Sequence, residues 1–225
     1  SMQLVDQLNA KVIVVVDYDH PLDKDKLMGI SEAFGQSLVG LMVNSVSVYR
    51  INETRTALEQ LVGVEKPMLL GCIPEDRFLM SVTVGELVDK LNGEWISGED
   101  KTDKLVESFL IGGNIMDHGE TYFGQADDKA VIVRGDRPDI QLAAMATSTV
   151  CLILTGGHRP SEYVCYEANR TGVALIVVPN GTLKTSEDLY KAFDRVDIPH
   201  RRKRERFQEL LKSYAGLEKF DELCG

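Results

Sequence analysis

Three short polar clusters in the second half of the chain contain residue types that could bind a ligand. They are residues 134–137 (Arg-Gly-Asp-Arg), 155–158 (Thr-Gly-Gly-His) and 180–182 (Asn-Gly-Thr). Each cluster follows a continuous apolar run rich in β-branched residues, which is the pattern of a buried parallel strand. An arginine offers a forked cation to an anion, and glycines let backbone N–H groups come close to one. The clusters therefore contain the chemistry of a small anion or nucleotide site.

The elements between these clusters predict how the clusters come together. Apolar runs cover residues 130–133, 150–154 and 173–178, and helix-length segments at 138–146 and 160–170 separate them. Right-handed crossovers place the carboxyl ends of successive parallel strands at one edge of the sheet, and ligands of open α/β sheets bind outside that edge. We therefore predict one ligand site at this edge, lined by six residues: Asp136, Arg137, Thr155, Gly156, Gly157 and Thr182.

Each cluster alone also has a purely structural interpretation. Asp136 and Arg137 could form a local ion pair or cap the helix that starts at Pro138. Gly156-Gly157 could serve only as a turn. In the ligand-binding interpretation, Arg137 contacts the anion, the two glycines present backbone N–H groups to it, and Asp136 orients Arg137 or accepts a hydrogen bond from a ribose or base. No nucleophile paired with a base and no pair of carboxylates accompanies the clusters, so we predict no catalytic residue.

The segment GDRPDIQLAAMATS, followed by CLILTGG, resembles the DRTGG domain. That domain is named for residues that match Asp136, Arg137, Thr155, Gly156 and Gly157 here, and the resemblance covers residues 81–189. Relatives often have an Asp-Thr pair after the third strand, where this chain has Gly181-Thr182, so no role is assigned to an acid there. Such domains occur beside phosphotransacetylase, and with nucleotide-binding CBS pairs in some pyrophosphatases. The resemblance implies a sensory or regulatory module.

The first half of the chain shows the same alternation of elements. Strands are predicted at residues 11–16, 38–43 and 67–73, and helices at 22–34 and 52–62. The order β-α-β-α-β again indicates a parallel sheet. The predicted fold class is therefore α/β, with parallel sheets, flanking helices and two α/β units.

Two segments of this first half resemble a family of ATPases. GLMVNSV and PMLLGCIPED are similar to the C-terminal half of dethiobiotin synthetase-like and cobyrinic acid a,c-diamide synthase-like ATPases. In such relatives the positions of Asn44, Ile73 and Pro74 lie beside the adenine, which implies a vestigial adenine-binding group here. The family's phosphate loop, ending in Gly-Lys-Ser/Thr, has no match in this chain. Without that loop nothing cradles a triphosphate or its magnesium ion, so we expect a truncated ATPase half with a structural role.

The region between the two resemblances gives weaker signals. Thr83 followed by Glu86 is a capping box at the start of a helix over residues 83–92. A short strand is predicted at residues 94–97 and a helix over 114–123, while the apolar residues of 101–109 specify no element.

The composition excludes several classes of function. The 225 residues have a net charge of −10, so nucleic acid is not an expected partner, because phosphate neutralisation needs a basic surface. No apolar run approaches the roughly 20 residues of a membrane span, and the N-terminal residues do not have the pattern of a signal peptide. The four cysteines have neither paired nor metal-ligand spacing, which favours reduced thiols in the cytoplasm and no metal site.

We predict three segments: an ATPase-like unit at 1–80, a DRTGG domain at 81–192 and a C-terminal segment at 193–225. Residues 195–206 include seven basic residues, counting a histidine. They are expected to form the solvated start of a helix; contact with nucleic acid or with an acidic neighbouring subunit is the alternative. Because half of an ATPase-like sheet leaves an edge or a face uncovered, we expect a homodimer.

Two classes of function remain. The first is a non-catalytic regulatory module, similar to the N-terminal regulatory region of phosphotransacetylase, that binds a small anionic or nucleotide ligand. The chain ends at Gly225, and we expect no acetyl-transfer domain in that length. The second is a fragment or subunit of an enzyme, either phosphotransacetylase-like or an ATP-dependent cobyrinic acid a,c-diamide synthase-like ligase. The residues identify neither the ligand nor a cofactor.

Overall fold

Apolar runs form buried strands and amphipathic segments form covering helices in both halves of the chain. A computed structural model describes residues 2–19, 21, 23–62, 67–113, 119–194, 200–216 and 218. The chain divides into two units, residues 1–79 with 199–225, and residues 80–198. Parallel sheets flanked by helices confirm the predicted fold class.

The first unit begins with helix α1 (Met2–Leu8) and contains a three-stranded parallel sheet. Its elements are β1 (Val12–Asp17), α2 (Lys24–Phe34), β2 (Leu38–Val46), α3 (Ile51–Val62) and β3 (Met68–Pro74). The strand order is β1-β2-β3, so β1 lies at an edge. The helices α2 and α3 cover one face, where side chains such as Leu27, Val43 and Leu58 form a core.

The second unit is a three-layer α/β structure. Its elements are β4 (Val82–Thr83), α4 (Val84–Leu91), β5 (Glu94–Ser97), β6 (Leu105–Val106), β7 (Ser108–Gly112), α5 (Gly119–Phe123), β8 (Lys129–Arg134), α6 (Pro138–Met145), β9 (Thr149–Thr155), α7 (Glu162–Thr171), β10 (Ala174–Val177) and α8 (Thr182–Asp194). The main sheet has the order β5-β10-β9-β8-β7, with β5 antiparallel and the others parallel, while β4 pairs with β6.

Helices cover both faces of this main sheet. Phe123 of α5, Ile140 of α6 and Val164 of α7 pack on one face, and Leu87 of α4 and Leu189 of α8 pack on the other. The predicted capping box is confirmed, since the Thr83 hydroxyl and the Glu86 carboxylate each accept from the other residue's backbone N–H. β5 is confirmed as well. The strand β7 was not predicted, and residues 114–118 of the predicted helix over 114–123 lie outside the described residues.

The last helix, α9 (Arg201–Tyr214), belongs to the first unit, where it packs on β3. Leu210 of α9 and Ala215 join Leu70 and Ile73 in a second core on the face opposite α2 and α3. The expectation of a solvated basic segment is wrong in part: Lys203 is buried, and Arg202 lies over the Phe78 ring, 5.3 Å from its centroid. Residues 195–199 of the basic run lie outside the described residues.

Candidate functional site

The carboxyl ends of β8, β9 and β10 lie side by side at one edge of the second unit's sheet. In register, Arg134 is the partner of Thr155, and Leu154 is the partner of Val177. Because the strands are parallel and adjacent, the turns that follow them are neighbours. The structure thus brings the three predicted clusters to one edge.

The connections that follow β9 and β10 diverge, and the space outside this point of divergence is here called the crevice. The chain leaves β9 for α7 on one face of the sheet and leaves β10 for α8 on the other face. Divergence of neighbouring connections to opposite faces opens the crevice in which α/β sheets bind ligands. Here the hydroxyl oxygens of Thr155, the last residue of β9, and Thr182, the first residue of α8, lie 3.2 Å apart.

The two arginines of the first cluster form forked ion pairs with nearby carboxylates. Arg134 donates from Nε to Asp136 Oδ1 at 2.9 Å, and Arg137 donates from Nε to Asp139 Oδ1 at 3.0 Å and from its terminal nitrogen to Oδ2 at 2.8 Å. The predicted orientation of Arg137 by Asp136 is therefore wrong. Asp139, two residues further along the chain, reaches Arg137 across the first turn of α6, and Asp136 lies on the Arg134 side of the turn.

These ion pairs also stabilise the charged forms of both acids. The hydrogen bond from Arg134, together with the positive charge of that arginine, holds the pKa of Asp136 below its usual value. The hydrogen bond from Arg137 likewise lowers the pKa of Asp139. Neither acid is protonated near neutral pH, so neither is suited to act as a general base of raised pKa.

Gly156 and Gly157 form a turn with both residues in the left-handed region, at φ +84° and +70°. This conformation folds the turn back toward β10: the Gly156 N–H donates to the Asn180 carbonyl and the Gly157 N–H to the Val178 carbonyl, each at 3.0 Å. The prediction that these N–H groups are presented to an anion is therefore wrong. They attach the turn after β9 to the segment after β10 and form the wall of the crevice.

Two residues outside the six predicted site residues hold the first cluster in place. At Gly135, an added Cβ would lie 2.3 Å from the carbonyl oxygen of His158, so only glycine lets the turns after β8 and β9 approach each other. The buried Gln141 donates from Nε2 to the carbonyls of Arg134 at 2.8 Å and Gly135 at 3.2 Å. Its Oε1 has no hydrogen-bond partner among the described residues. The sequence signal for this role of Gln141 was a polar residue between the apolar residues of the helix segment DIQLAA.

The three residues predicted to lie beside an adenine, all in the first unit, have three different environments. Asn44 is half-buried at the end of β2, with Nδ2 3.4 Å from Asp17 Oδ1, and its carbonyl accepts from the Tyr18 N–H at 2.9 Å. Ile73 is buried in the core beneath α9. Pro74 lines a cavity of about 360 Å³ that is also lined by Arg206 and other α9 residues. Side chains of α9 therefore border this strand end.

Within the described ranges, no group of three or more His, Cys, Asp or Glu side chains could hold a metal ion. No helix in this part of the chain is long and apolar enough to cross a membrane.

Residues 86–192 match the family model of the DRTGG domain. The chain contains a DRTGG domain. This confirms the resemblance inferred from Asp136, Arg137 and the Thr155-Gly156-Gly157 turn.

The chain with this DRTGG domain is also similar to two phosphate acetyltransferases. It is 32% identical over 172 residues to the enzyme of Synechocystis sp., a match that covers 71% of this chain and 24% of the relative. It is 28% identical over 185 residues to the enzyme of Nitratidesulfovibrio vulgaris, covering 75% of this chain and 25% of the relative. The chain thus spans about a quarter of the length of the curated relatives that it matches.

Among solved structures, the chain is similar to the CBS and DRTGG domains of the regulatory region of Clostridium perfringens pyrophosphatase, which was crystallised with its activator, diadenosine tetraphosphate. The TM-score is 0.44 at 16% identity, and the match covers 84% of this chain and 76% of that one.

The rim of the DRTGG domain's crevice combines paired charges with polar hydroxyls. Beyond the ion pairs of Arg134 and Arg137, Arg159 of the next turn pairs with Glu94 at the start of β5. An anion at this rim must displace a carboxylate from an arginine, whereas a ribose or base can bond to the threonine hydroxyls, which both donate and accept. Among the described residues of this edge, no nucleophile is hydrogen-bonded to a base.

Proposed function

We propose that this chain is a non-catalytic, cytoplasmic regulatory module that binds a small anionic or nucleotide ligand at the strand ends of its DRTGG domain. The observation that carries the proposal is the divergence of the connections after β9 and β10, where the hydroxyl oxygens of Thr155 and Thr182 lie 3.2 Å apart. The two connections lead to opposite faces of the sheet, which is the arrangement found at the ligand sites of open α/β sheets.

The proposed contacts divide between polar and charged groups. Thr155 and Thr182 would exchange their mutual hydrogen bond for bonds to the ligand. Arg137 would move its fork from Asp139 to a phosphate or carboxylate, because bidentate, charge-assisted bonds form equally well with either anion. Gly156 and Gly157 shape the wall, and Asp136 holds Arg134.

A thermal-shift screen followed by calorimetry tests this proposal. Adenine nucleotides, acetyl phosphate and coenzyme A are the probes, and inorganic phosphate and sulfate are the controls for any anion. We expect one probe to raise the melting temperature where the controls do not. If no probe shifts it at millimolar concentration, the clusters are structural and the proposal is wrong.

We further propose that the first unit is an ATPase-like half without a phosphate loop. Its three parallel strands with covering helices are compatible with that origin. The unit should not hydrolyse ATP, since the sequence contains no Gly-Lys-Ser/Thr loop to cradle a triphosphate. Magnesium-dependent phosphate release by the purified protein that is lost on replacing Asn44 would overturn this.

A second candidate function is favoured by the two phosphate acetyltransferase relatives. The chain would then act as the regulatory segment of a phosphotransacetylase-like enzyme, joined to the catalytic part or bound to it. The ATP-dependent cobyrinic acid a,c-diamide synthase-like enzyme is the other form of this candidate. Sequencing the complete reading frame distinguishes them: an acetyl-transfer region would support the first, and an upstream Gly-Lys-Ser/Thr loop the second.

We also propose that the chain forms a homodimer, because β1 is an edge strand with exposed apolar side chains. Light scattering at micromolar concentration tests this, and a monomer mass would contradict it.

A further inference from the structure

The edge strand β1 has an uncovered apolar face. β1 is hydrogen-bonded to β2 on one side, and no other strand of the described residues pairs with it. Ile13 is 36% and Val15 60% exposed, whereas Val14 and Val16 pack into the core beneath α2 and α3. The strand has none of the usual protection of an edge, since neither a proline nor an inward charge interrupts residues 12–16.

The sequence of this strand is complementary to itself when reversed. Residues 11–17 read Lys-Val-Ile-Val-Val-Val-Asp. In an antiparallel pair of two copies centred on Val14, Lys11 lies opposite Asp17 and Ile13 opposite Val15. Lys11, Ile13, Val15 and Asp17 alternate along the strand, so their side chains all lie on its exposed face. Both charge pairs and both apolar pairs therefore form on one surface. A slip of one residue would move them to opposite faces, and a slip of two would place either Asp17 opposite Ile13 or Lys11 opposite Val15.

We propose that β1 pairs with β1 of a second copy of this chain, antiparallel about a two-fold axis at Val14, to form one continuous sheet across two copies. The proposal rests on the proposed homodimer and identifies its surface. A two-fold axis makes each contact occur twice, so one self-complementary strand is enough to specify the partner. The ends favour a second copy because Lys11 of one strand lies opposite Asp17 of the other at both ends of the pair.

Charge reversal tests the register in the full chain. Lys11→Glu and Asp17→Lys each place like charges opposite one another, and each should convert the dimer to monomer at a concentration where the wild type is dimeric. The double variant Lys11→Glu/Asp17→Lys restores opposite charges with reversed polarity and should dimerise again. Sedimentation equilibrium and light scattering give the mass. Two monomeric single variants with a dimeric double variant support the register, and any other pattern overturns it.

A matched pair of valine variants tests the surface independently of the charges. Val15 and Val48 are both 60% exposed in the first unit, but only Val15 lies on β1. Val15→Lys should give a monomer and Val48→Lys a dimer, with circular dichroism showing that both are folded. A monomeric wild type would refute the dimer and this surface together. A dimeric wild type with a dimeric, folded Val15→Lys would refute this surface alone and leave the dimer standing.

Discussion

The hydroxyl oxygens of Thr155 and Thr182 lie 3.2 Å apart, although 26 residues separate them in the chain. Thr155 ends β9 and is buried, while Thr182 begins α8 on the opposite face of the sheet. One hydrogen bond therefore spans the crevice where the two connections diverge. A ligand that enters the crevice from the strand ends must compete with this bond or accept hydrogen bonds from the same hydroxyls.

Replacing both threonines tests whether the two hydroxyls are coupled. Thr155→Val keeps the side-chain shape and removes the hydroxyl, so the free energy of unfolding should fall by about 0.5–1.5 kcal/mol. Thr182→Val should lower the free energy of unfolding by less in the Thr155→Val background than in the wild type, because the hydroxyl that it pairs with is already absent. Urea unfolding followed by circular dichroism gives the four values of the cycle. Thr121→Val on the exposed face of α5 serves as control, and additive losses would show that the hydroxyls do not interact.

The contact between Gly135 and His158 predicts a steric effect on stability. Gly135→Ala would place a methyl group 2.3 Å from the His158 carbonyl oxygen, so one of the two turns must move. We expect destabilisation by about 1–3 kcal/mol, the usual range for overpacking a close contact. The measurement is the midpoint and slope of urea unfolding.

Gly181→Ala is the matched control for that variant. Gly181 lies at the same sheet edge, but no heavy atom lies within 4 Å of an added Cβ there, and its φ is not positive. The alanine should be neutral or slightly stabilising, since it reduces the entropy of the unfolded chain. Equal stability of the two variants would show that the Gly135 contact is not tight.

Sequence patterns predicted the sheet edge because the signals there are local. Continuous β-branched runs identify the buried strands β8, β9 and β10, and the turn residues follow each run directly. The strand β7 was missed because its half-buried residues 108–111 show no strict alternation and no turn residue precedes them. Only its parallel pairing with β8 in the structure identifies this segment as a strand.

The partners of charged and polar groups at the edge could not be predicted in this way. Arg137 has two acids nearby in sequence, Asp136 and Asp139, and the choice depends on how the helix turn projects them. The N–H groups of Gly156 and Gly157 bind carbonyls more than 20 residues away, at Asn180 and Val178. Such long-range pairings depend on tertiary structure and leave no periodic trace in the sequence.

The buried thiol of Cys151 predicts a loss of stability at high pH. Burial raises its pKa from 9.0 to about 12. Above pH 9 the unfolded chain loses a proton that the folded chain retains, so stability is complete below pH 9 and falls as the pH rises toward 12. The slope approaches 1.4 kcal/mol per pH unit, or about 2 kcal/mol in total by about pH 10.5. Urea unfolding between about pH 8 and pH 10.5 measures it.

Cys151→Ala isolates this contribution. The buried Lys129 acts in the opposite direction, because burial lowers its pKa and stability then rises with pH toward 10.5. That contribution is common to wild type and variant, so it cancels in their difference. The alanine variant should be less stable at pH 8 but should lose less stability on going to high pH. Parallel curves for the two proteins would show that the Cys151 thiol ionises normally in the folded state.

The fork between Arg137 and Asp139 predicts how ligand affinity responds to charge. Arg137→Ala removes a charge-assisted bond to an anionic ligand, and the dissociation constant of a probe identified in the thermal-shift screen should rise about tenfold to a hundredfold. Asp139→Asn keeps the side-chain shape but weakens the competing ion pair, so affinity for the same anion should increase. Isothermal titration calorimetry on the folded variants gives both values.

Arg134→Ala is the comparison that decides which arginine contacts the ligand, because its guanidinium makes the same forked pair, with Asp136, on the other side of the turn. If Arg137 is the contact, Arg134→Ala should change affinity by less than Arg137→Ala, and affinity should fall with salt in the wild type but much less in Arg137→Ala. If Arg134→Ala causes the larger loss, Arg134 is the contact and the assignment of Arg137 is wrong. Unchanged affinity in both alanine variants would mean that the two ion pairs only hold the turn. The threonine hydroxyls would then recognise a nucleoside or another uncharged part of the ligand.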